Sequence, residues 1–286
     1  MINKLKKILK KKPLTKEQKI ERYIQNGRVP WSEGYGEYKE KFIKESLENE
    51  EILKLFSNKT LNSFGVRVDE RCVEYPWIIN KISHRKELVL DAGSTFNFEY
   101  ILDNEKIKNK ELTIFTYHPE NYCFFKRRVS YVYGDLRNLY FNNNAFDLIV
   151  SQSTIEHIDM DNAIYGYSSD IVQTEKSYEY LKAVSEMERV LKPGGNLLLT
   201  FPFGKFENHG FFQQFDDEML EKLLNIMKGK GEVTIDYFLY EKTGWKFSDR
   251  EALKNIQSFN PHTGKGKLDD GAAHCRSIAC IEFKKR

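Results

Sequence analysis

Apolar residues along the chain fall into two regimes. Residues 1 to about 60 are rich in Lys and Glu and read as helices with exposed faces, interrupted by a loop at Pro30-Trp31 and Gly34-Tyr35-Gly36 and resumed at Tyr38–Ile43. From about residue 70, compact apolar runs of strand length alternate with helical patterns. The runs predict strands at Glu87–Leu90, Leu112–Tyr117, Val129–Tyr133, Phe146–Val150, Asn196–Phe201, Val233–Leu239 and Ser277–Phe283. A long helix is predicted over Ser177–Leu191 and stops at Lys192-Pro193-Gly194-Gly195. Proline lacks the amide hydrogen a helix needs, and glycine accepts the backbone angles that follow a helix end. Another helix is predicted from about Asp216 to Met227. Strands alternating with helices imply a parallel sheet with right-handed crossovers. The expected organisation is a helical extension or lid over residues 1–65 and one α/β domain over 66–286.

Composition narrows the function classes. The chain has 286 residues, 40% of them hydrophobic and 30% charged, enough for a packed core under a well-solvated surface. Net charge is only +3, with no obvious basic stripe, which disfavours a nucleic-acid substrate. Cys72, Cys123, Cys275 and Cys280 include no CxxC pair and stand at no metal-site spacing, so they read as reduced, mostly buried thiols of a cytoplasmic protein. No apolar run approaches the roughly 20 residues that span a bilayer, and the N-terminus lacks the apolar core of a signal peptide. The segment Met1–Lys12 carries Ile2, Leu5, Ile8 and Leu9 at helical spacing among lysines. It reads as a frayed basic terminus rather than a membrane-surface helix, because it is short.

In an open α/β sheet, ligands bind beyond the carboxyl ends of the strands, near the switch in strand order. The first strand runs into Asp91-Ala92-Gly93-Ser94-Thr95. Gly93 allows a sharp turn and close approach of backbone to ligand, and Ser94 and Thr95 supply hydrogen-bond donors. The third strand runs into Gly134-Asp135-Leu136-Arg137. The fourth strand and its exit read FDLIVSQSTIEHI, followed later by EMERVLKPGGNLLLTFPF.

With these segments, residues 70 to 285 resemble class I S-adenosylmethionine-dependent methyltransferases that act on small molecules. The stretches EYPWII, KPGGNLLLTFPFGK and HCRSIACIEF are similar to methyltransferases encoded in bacterial surface-polysaccharide clusters. The resemblance implies a Rossmann-like, seven-stranded, mostly parallel sheet with an antiparallel last strand. It also implies S-adenosylmethionine as cofactor. Asp91 would then hold the methionine end, with Gly93 passing beneath it. Asp135 would accept from the adenine amino group, and the Leu136 amide would meet the ring. Ser94, Thr95 and Ser151 are assigned to the same cavity. Two departures stand out: Thr95 replaces the second glycine of D-x-G-x-G, and no acid ends the second strand, where Tyr117 or Glu120 would have to serve.

Methyl transfer from a sulfonium needs positioning of the acceptor and removal of its proton. His157 is the expected base, because histidine titrates near neutrality, with Glu156 as orienter or helper. Some relatives bind a divalent ion through ExxEH after the fourth strand. Here Ser153 takes the first carboxylate position, so no metal is expected unless His209 or His274 folds beside Glu156 and His157. Phe201–Phe215 reads as an acceptor pocket in which Lys205 and His209 meet an anionic group. Tyr35, with Trp31 and Tyr38, would close over the site and touch substrate; Arg71, Glu74, Tyr75 and Trp77 precede the first strand and would touch cofactor or acceptor. The expected activity is methyl transfer to an oxygen, in preference to nitrogen, of a small polar metabolite such as an activated sugar or phosphorylated precursor, by a cytoplasmic monomer or homodimer without membrane contact. An NAD-dependent oxidoreductase would need GxGxxG and an acid after the second strand, and both are lacking. A non-catalytic relative that uses the fold for protein contact is the other alternative.

Overall fold

A computed structural model describes residues 13–163 and 175–286, so the basic segment Met1–Lys12 lies outside the described residues. Helices α1 (Lys16–Gln25), α2 (Tyr35–Glu48), α3 (Glu50–Ser57) and α4 (Arg71–Lys81) come first. Strand β1 (Leu88–Ala92) follows, then α5 (Glu99–Leu102), β2 (Glu111–Thr116), β3 (Ser130–Tyr133) and β4 (Phe146–Gln152). The second half contains α6 (Tyr180–Val190), β5 (Leu191–Pro202), a two-residue hairpin of β6 (Glu207–Asn208) and β7 (Gln213–Gln214), and α7 (Asp217–Met227). It closes with β8 (Gly231–Glu241), β9 (Gly244–Ser248), α8 (Arg250–Leu253) and β10 (Ser277–Lys285).

The main sheet has eight strands in the order β3-β2-β1-β4-β5-β10-β8-β9. The first five are parallel to one another, and β10, β8 and β9 run antiparallel to their neighbours. This is a Rossmann-like class I methyltransferase sheet. The chain leaves β1 toward β2 on one side and later returns to lay β4 on the other, so the strand order reverses at β1 and opens a crevice at its carboxyl end.

Alternation along the strands sends consecutive side chains to opposite faces. Val89, Leu112, Leu148 and Leu198 join the core under α2, α3 and α4. Leu90, Ile149, Leu197 and Leu199 join the core under α6 and α7. Both faces are therefore apolar, which is why these strands read as nearly continuous apolar runs. The N-terminal helices share the first core through Ile43, Leu47 and Phe56.

Two details differ from the pattern reading. An eighth strand, β9, pairs with β8 from Glu241↔Gly244 to Tyr237↔Ser248. Its turn residues Lys242-Thr243 lack the Asn-Gly or Asp-Gly signature of a tight hairpin. The helix α6 ends at Val190 rather than Leu191, because Leu191 already has extended angles and pairs with Phe146. Lys192-Pro193-Gly194-Gly195 then forms an irregularity inside β5, between the pairings Phe146↔Leu191 and Leu148↔Asn196.

Candidate active site

The turn after β1 is built around Asp91. Its Oδ1 accepts from the Thr95 amide (3.1 Å) and hydroxyl (3.0 Å), and its Oδ2 from the Phe96 amide (2.7 Å). The carboxyl is fully buried, and burial pushes it up to about 7 against the opposing effect of those hydrogen bonds. Gly93 has φ +132°, and a Cβ there would lie 2.1 Å from Thr154 Oγ1. The glycine is thus required twice, by conformation and by the closeness of the β4 exit. Ser94 follows in the left-handed region, φ 61°, and its buried Oγ has no hydrogen-bond partner.

Beyond β2, Tyr117 is 60% exposed. Glu120 accepts from the Asn97 amide nitrogen (2.7 Å), and the Asn97 carbonyl oxygen accepts from Tyr131 (2.9 Å). Asn97 is buried just past the Asp91 turn, so it fixes Glu120 near that turn. No local pattern in the chain reveals this bridge. Asp135 is gripped by Arg137, whose Nε and Nη2 donate to it at 3.0 and 2.6 Å. Burial works to raise the Asp135 carboxyl, but the Arg137 contacts outweigh it and hold it low. The Leu136 side chain packs in the core, so only its backbone is available to a ligand.

Past β4, His157 Nδ1 lies 2.7 Å from the Phe211 carbonyl oxygen. The carbonyl only accepts, so Nδ1 carries the proton and the lone pair sits on Nε2. Burial lowers the imidazole to about 4, so it is neutral near pH 7. Glu156 stands 3.9 Å from Nε2, too far for a hydrogen bond. Phe211, not Glu156, orients the ring. Glu156 is buried, its Oε2 has no partner, and burial raises its carboxyl well above the ordinary range.

Glu74 lies beneath this region. Its Oε1 accepts from the Ser153 and Thr200 hydroxyls at 2.5 Å each, and its Oε2 accepts from Arg71 at 2.8 Å. Arg71 also reaches the Gln152 carbonyl at the end of β4 (3.5 Å). Ser153 therefore ties β4 to α4. Tyr75 donates to the Thr95 carbonyl (2.5 Å), while Trp77 is buried away from the turn and donates to Asp236 (2.9 Å).

Three expected contacts are corrected. Ser151 is fully buried within β4, and its hydroxyl donates across the sheet to the Ala92 carbonyl (2.9 Å). The Tyr35 hydroxyl is engaged with Asp69, donating to Oδ2 (2.9 Å) and accepting from the amide (3.0 Å). It pins α2 to the segment before α4 instead of facing a ligand. Lys205 and His209 do not converge on an anion. Lys205 is exposed, whereas the His209 side chain is sealed, stacked on Phe212 at 4.5 Å with Nε2 3.3 Å from the Glu207 carboxylate.

The Phe211–Phe212 pair gathers four of the six histidines. Phe211 lies near His157, His262 and His274, and Phe212 near His157, His209 and His274. His274 pairs with Glu70 (Nδ1 to Oε1 3.0 Å), a partner 204 positions away that no local pattern reveals. Trp31 donates to the neighbouring Ala273 carbonyl (2.6 Å), which clips the N-terminal loop onto this side.

Residues 102–199, about a third of the chain, match the family described as "Methyltransferase domain". With the strand order, that match defines the class of protein: the chain is an S-adenosylmethionine-dependent methyltransferase, and S-adenosylmethionine is its cofactor. No curated protein matches the chain. Solved structures similar to it include the 1,6-didemethyltoxoflavin-N1-methyltransferase of Burkholderia thailandensis, at 15% identity and TM-score 0.40, covering 71% of this chain and 72% of that one. An S-adenosylmethionine-dependent methyltransferase of Methanosarcina mazei has 16% identity and TM-score 0.42, with 74% and 98% covered. The YcgJ protein of Bacillus subtilis has 13% identity and TM-score 0.42, with 72% and 94% covered. At scores of this size the three decide neither substrate nor site.

The residues of the Asp91 turn fit the cofactor. A Cβ at Gly93 would fill the approach to Thr154, the buried Ser94 hydroxyl lacks a partner, and Gln152 Oε1 and Glu156 Oε2 nearby are likewise unsatisfied. Buried polar groups are rarely left so, and a bound molecule with hydrogen-bond donors would complete them.

Proposed function

We propose that this enzyme methylates a hydroxyl oxygen, in preference to a nitrogen, of a small polar metabolite such as an activated sugar, with a place in surface-polysaccharide biosynthesis in the cytoplasm. The observation that carries this reading is the 2.7 Å contact between His157 Nδ1 and the Phe211 carbonyl, which puts the lone pair of the imidazole on Nε2, while burial keeps the ring neutral against the opposing effect of that contact.

S-adenosylmethionine supplies a methyl group already activated on sulfonium sulfur. What remains for the chain is to bind, orient and deprotonate. In this reading Asp91 shapes the turn that Gly93, Ser94 and Thr95 present to the methionine end. Glu120, held by Asn97, takes the ribose side in place of the missing acid, with Tyr117 beside it. Asp135 and the Leu136 backbone take the adenine, Asp135 sharing its oxygens with Arg137. His157 Nε2 accepts the acceptor's hydroxyl proton. Glu156, whose buried Oε2 lacks a partner, takes a second polar group of the acceptor. Residues 1–65 act as the cover and 66–286 as the cofactor-binding domain.

Recognition of an acceptor phosphate by Lys205 and His209 together is less well supported. Lys205 is exposed, whereas His209 is sealed and already faces a carboxylate.

Calorimetry with S-adenosylmethionine, S-adenosylhomocysteine and NAD, followed by mass spectrometry of a panel of nucleotide sugars and phosphorylated metabolites, tests this reading. The expected result is binding of the first two ligands only and a gain of one methyl group on a sugar hydroxyl. A gain confined to amines or phosphates would overturn the oxygen assignment.

A further inference from the structure

Glu70, His274 and Cys275 meet beside the site although the chain separates Glu70 from His274 by 204 positions. One ligand-type atom from each residue lies within 4.8 Å of the other two. Glu70 and Cys275 are buried and His274 is partly buried. The proposed methyl transfer uses none of the three.

Two further observations point to a ligand. First, Glu70 offers one oxygen to His274 at 3.0 Å, but its other oxygen, Oε2, is buried with no hydrogen-bond partner. Buried polar groups are rarely left without a partner, so such an acceptor points to a missing ligand. Second, the groups are held in place from outside: Glu70 directly precedes α4, Cys275 stands two residues before β10, and the Phe212 ring packs 4.9 Å from the His274 ring. One carboxylate, one imidazole and one thiol form a donor set for zinc or a similar borderline-soft divalent ion, whereas magnesium and calcium prefer oxygen alone.

We propose that Glu70, His274 and Cys275 form a three-ligand site for Zn(II), with the fourth tetrahedral position left to water or to a bound molecule. In such a site the ligand atoms stand about 3.3–3.8 Å apart, given bonds of about 2.0–2.3 Å. Closing from the present spread needs a shift of about 1 Å, within the range of side-chain rotation. Coordination releases the Cys275 thiol proton to solvent and moves the His274 proton to Nε2, so that thiolate and Nδ1 lone pair face the ion while Glu70 Oε2 gains its partner. The zinc would sit on the Phe211–Phe212 side, where His157 also lies.

The test uses the full chain, purified without a polyhistidine tag, loaded with Zn(II) or Mg(II), and passed through gel filtration before elemental analysis. The expected result is retention of about one zinc and no magnesium per chain. Cys275→Ser and His274→Gln should each lower zinc affinity at least about tenfold, while Cys123→Ser, at an exposed cysteine, should leave it unchanged. Co(II) loading should give a thiolate-to-cobalt charge-transfer band in the parent chain and none in Cys275→Ser. Absence of that band in the parent chain, or full zinc retention by both ligand variants, overturns the proposal. The cobalt spectrum of the parent chain decides the matter even if a variant fails to fold. Calorimetry with S-adenosylmethionine, run on the same samples, reports on the methyltransferase reading separately.

Discussion

The imidazole of His157 donates through Nδ1 to the carbonyl oxygen of Phe211, 2.7 Å away and 54 positions along the chain. This one contact selects the tautomer and joins the exit of β4 to the aromatic segment after β5. Because Phe211 contributes its backbone, no substitution of its side chain removes the acceptor directly.

If His157 is the base, His157→Ala should lower kcat by about 10²–10⁴ with little change in S-adenosylmethionine affinity. Single-turnover kinetics and calorimetry on the same preparation measure both. Unimpaired turnover at saturating cofactor would remove His157 from the mechanism.

His157 also makes stability depend on pH. Its folded value, about 4, lies below the ordinary 6.5, so the unfolded chain binds the proton more readily between those values. Stability from this group is therefore complete above about pH 6.5 and falls as pH drops toward about 4, by something on the order of 3 kcal/mol. His157→Gln should flatten that part of a urea-denaturation profile. A parallel slope in the variant would assign the effect elsewhere.

Asp91 acts in the opposite sense. Its carboxyl is raised from 3.8 to about 7, so the folded state holds the proton more tightly, and stability falls as pH rises between those values. Asp91→Asn removes that dependence. Relative to the parent chain it should gain stability between pH 5 and pH 8, by a few kcal/mol at most, while weakening S-adenosylmethionine binding through loss of a turn hydrogen bond. Denaturation at the two pH values, with calorimetry at one, tests both halves.

Gly93 and Gly194 separate close approach from backbone strain. Both have positive φ, +132° and +79°, but a Cβ at Gly194 meets nothing within 4 Å. Gly194→Ala should cost about 1 kcal/mol. Gly93→Ala should cost about 2 kcal/mol or more, because Thr154 must also move, and should abolish cofactor binding. Equal melting temperatures for the two variants would contradict the contact with Thr154.

Glu74→Gln tests the buried linkage between α4 and β4. The variant keeps one acceptor oxygen for Ser153 and Thr200 but leaves the Arg71 charge without its nearest partner. The expected loss is about 3–5 kcal/mol, read from denaturant midpoints. A loss under 1 kcal/mol would show that Arg71 finds another carboxylate, Glu70 or Glu156.

Periodicity and composition determined much of this protein. Apolar runs located seven of the eight strands of the main sheet, because residues buried on both sheet faces leave a strong signal in the chain itself. The Asp91-Ala92-Gly93 turn and the Lys192-Pro193-Gly194-Gly195 break were legible because their backbone requirements are local. The β9 strand was not, since its pairing with β8 rests on a partner strand rather than on its own pattern. The candidate site divided along the same line. Asp91, Gly93 and His157 could be named from their places at strand ends. Only the tertiary structure closed the Ser151 and Tyr35 hydroxyls onto internal partners, set Lys205 and His209 apart, fixed Glu120 through Asn97, and brought Glu70 to His274. Those outcomes depend on which groups meet across long stretches of chain and on how deeply burial removes them from water, and neither quantity is encoded in local spacing.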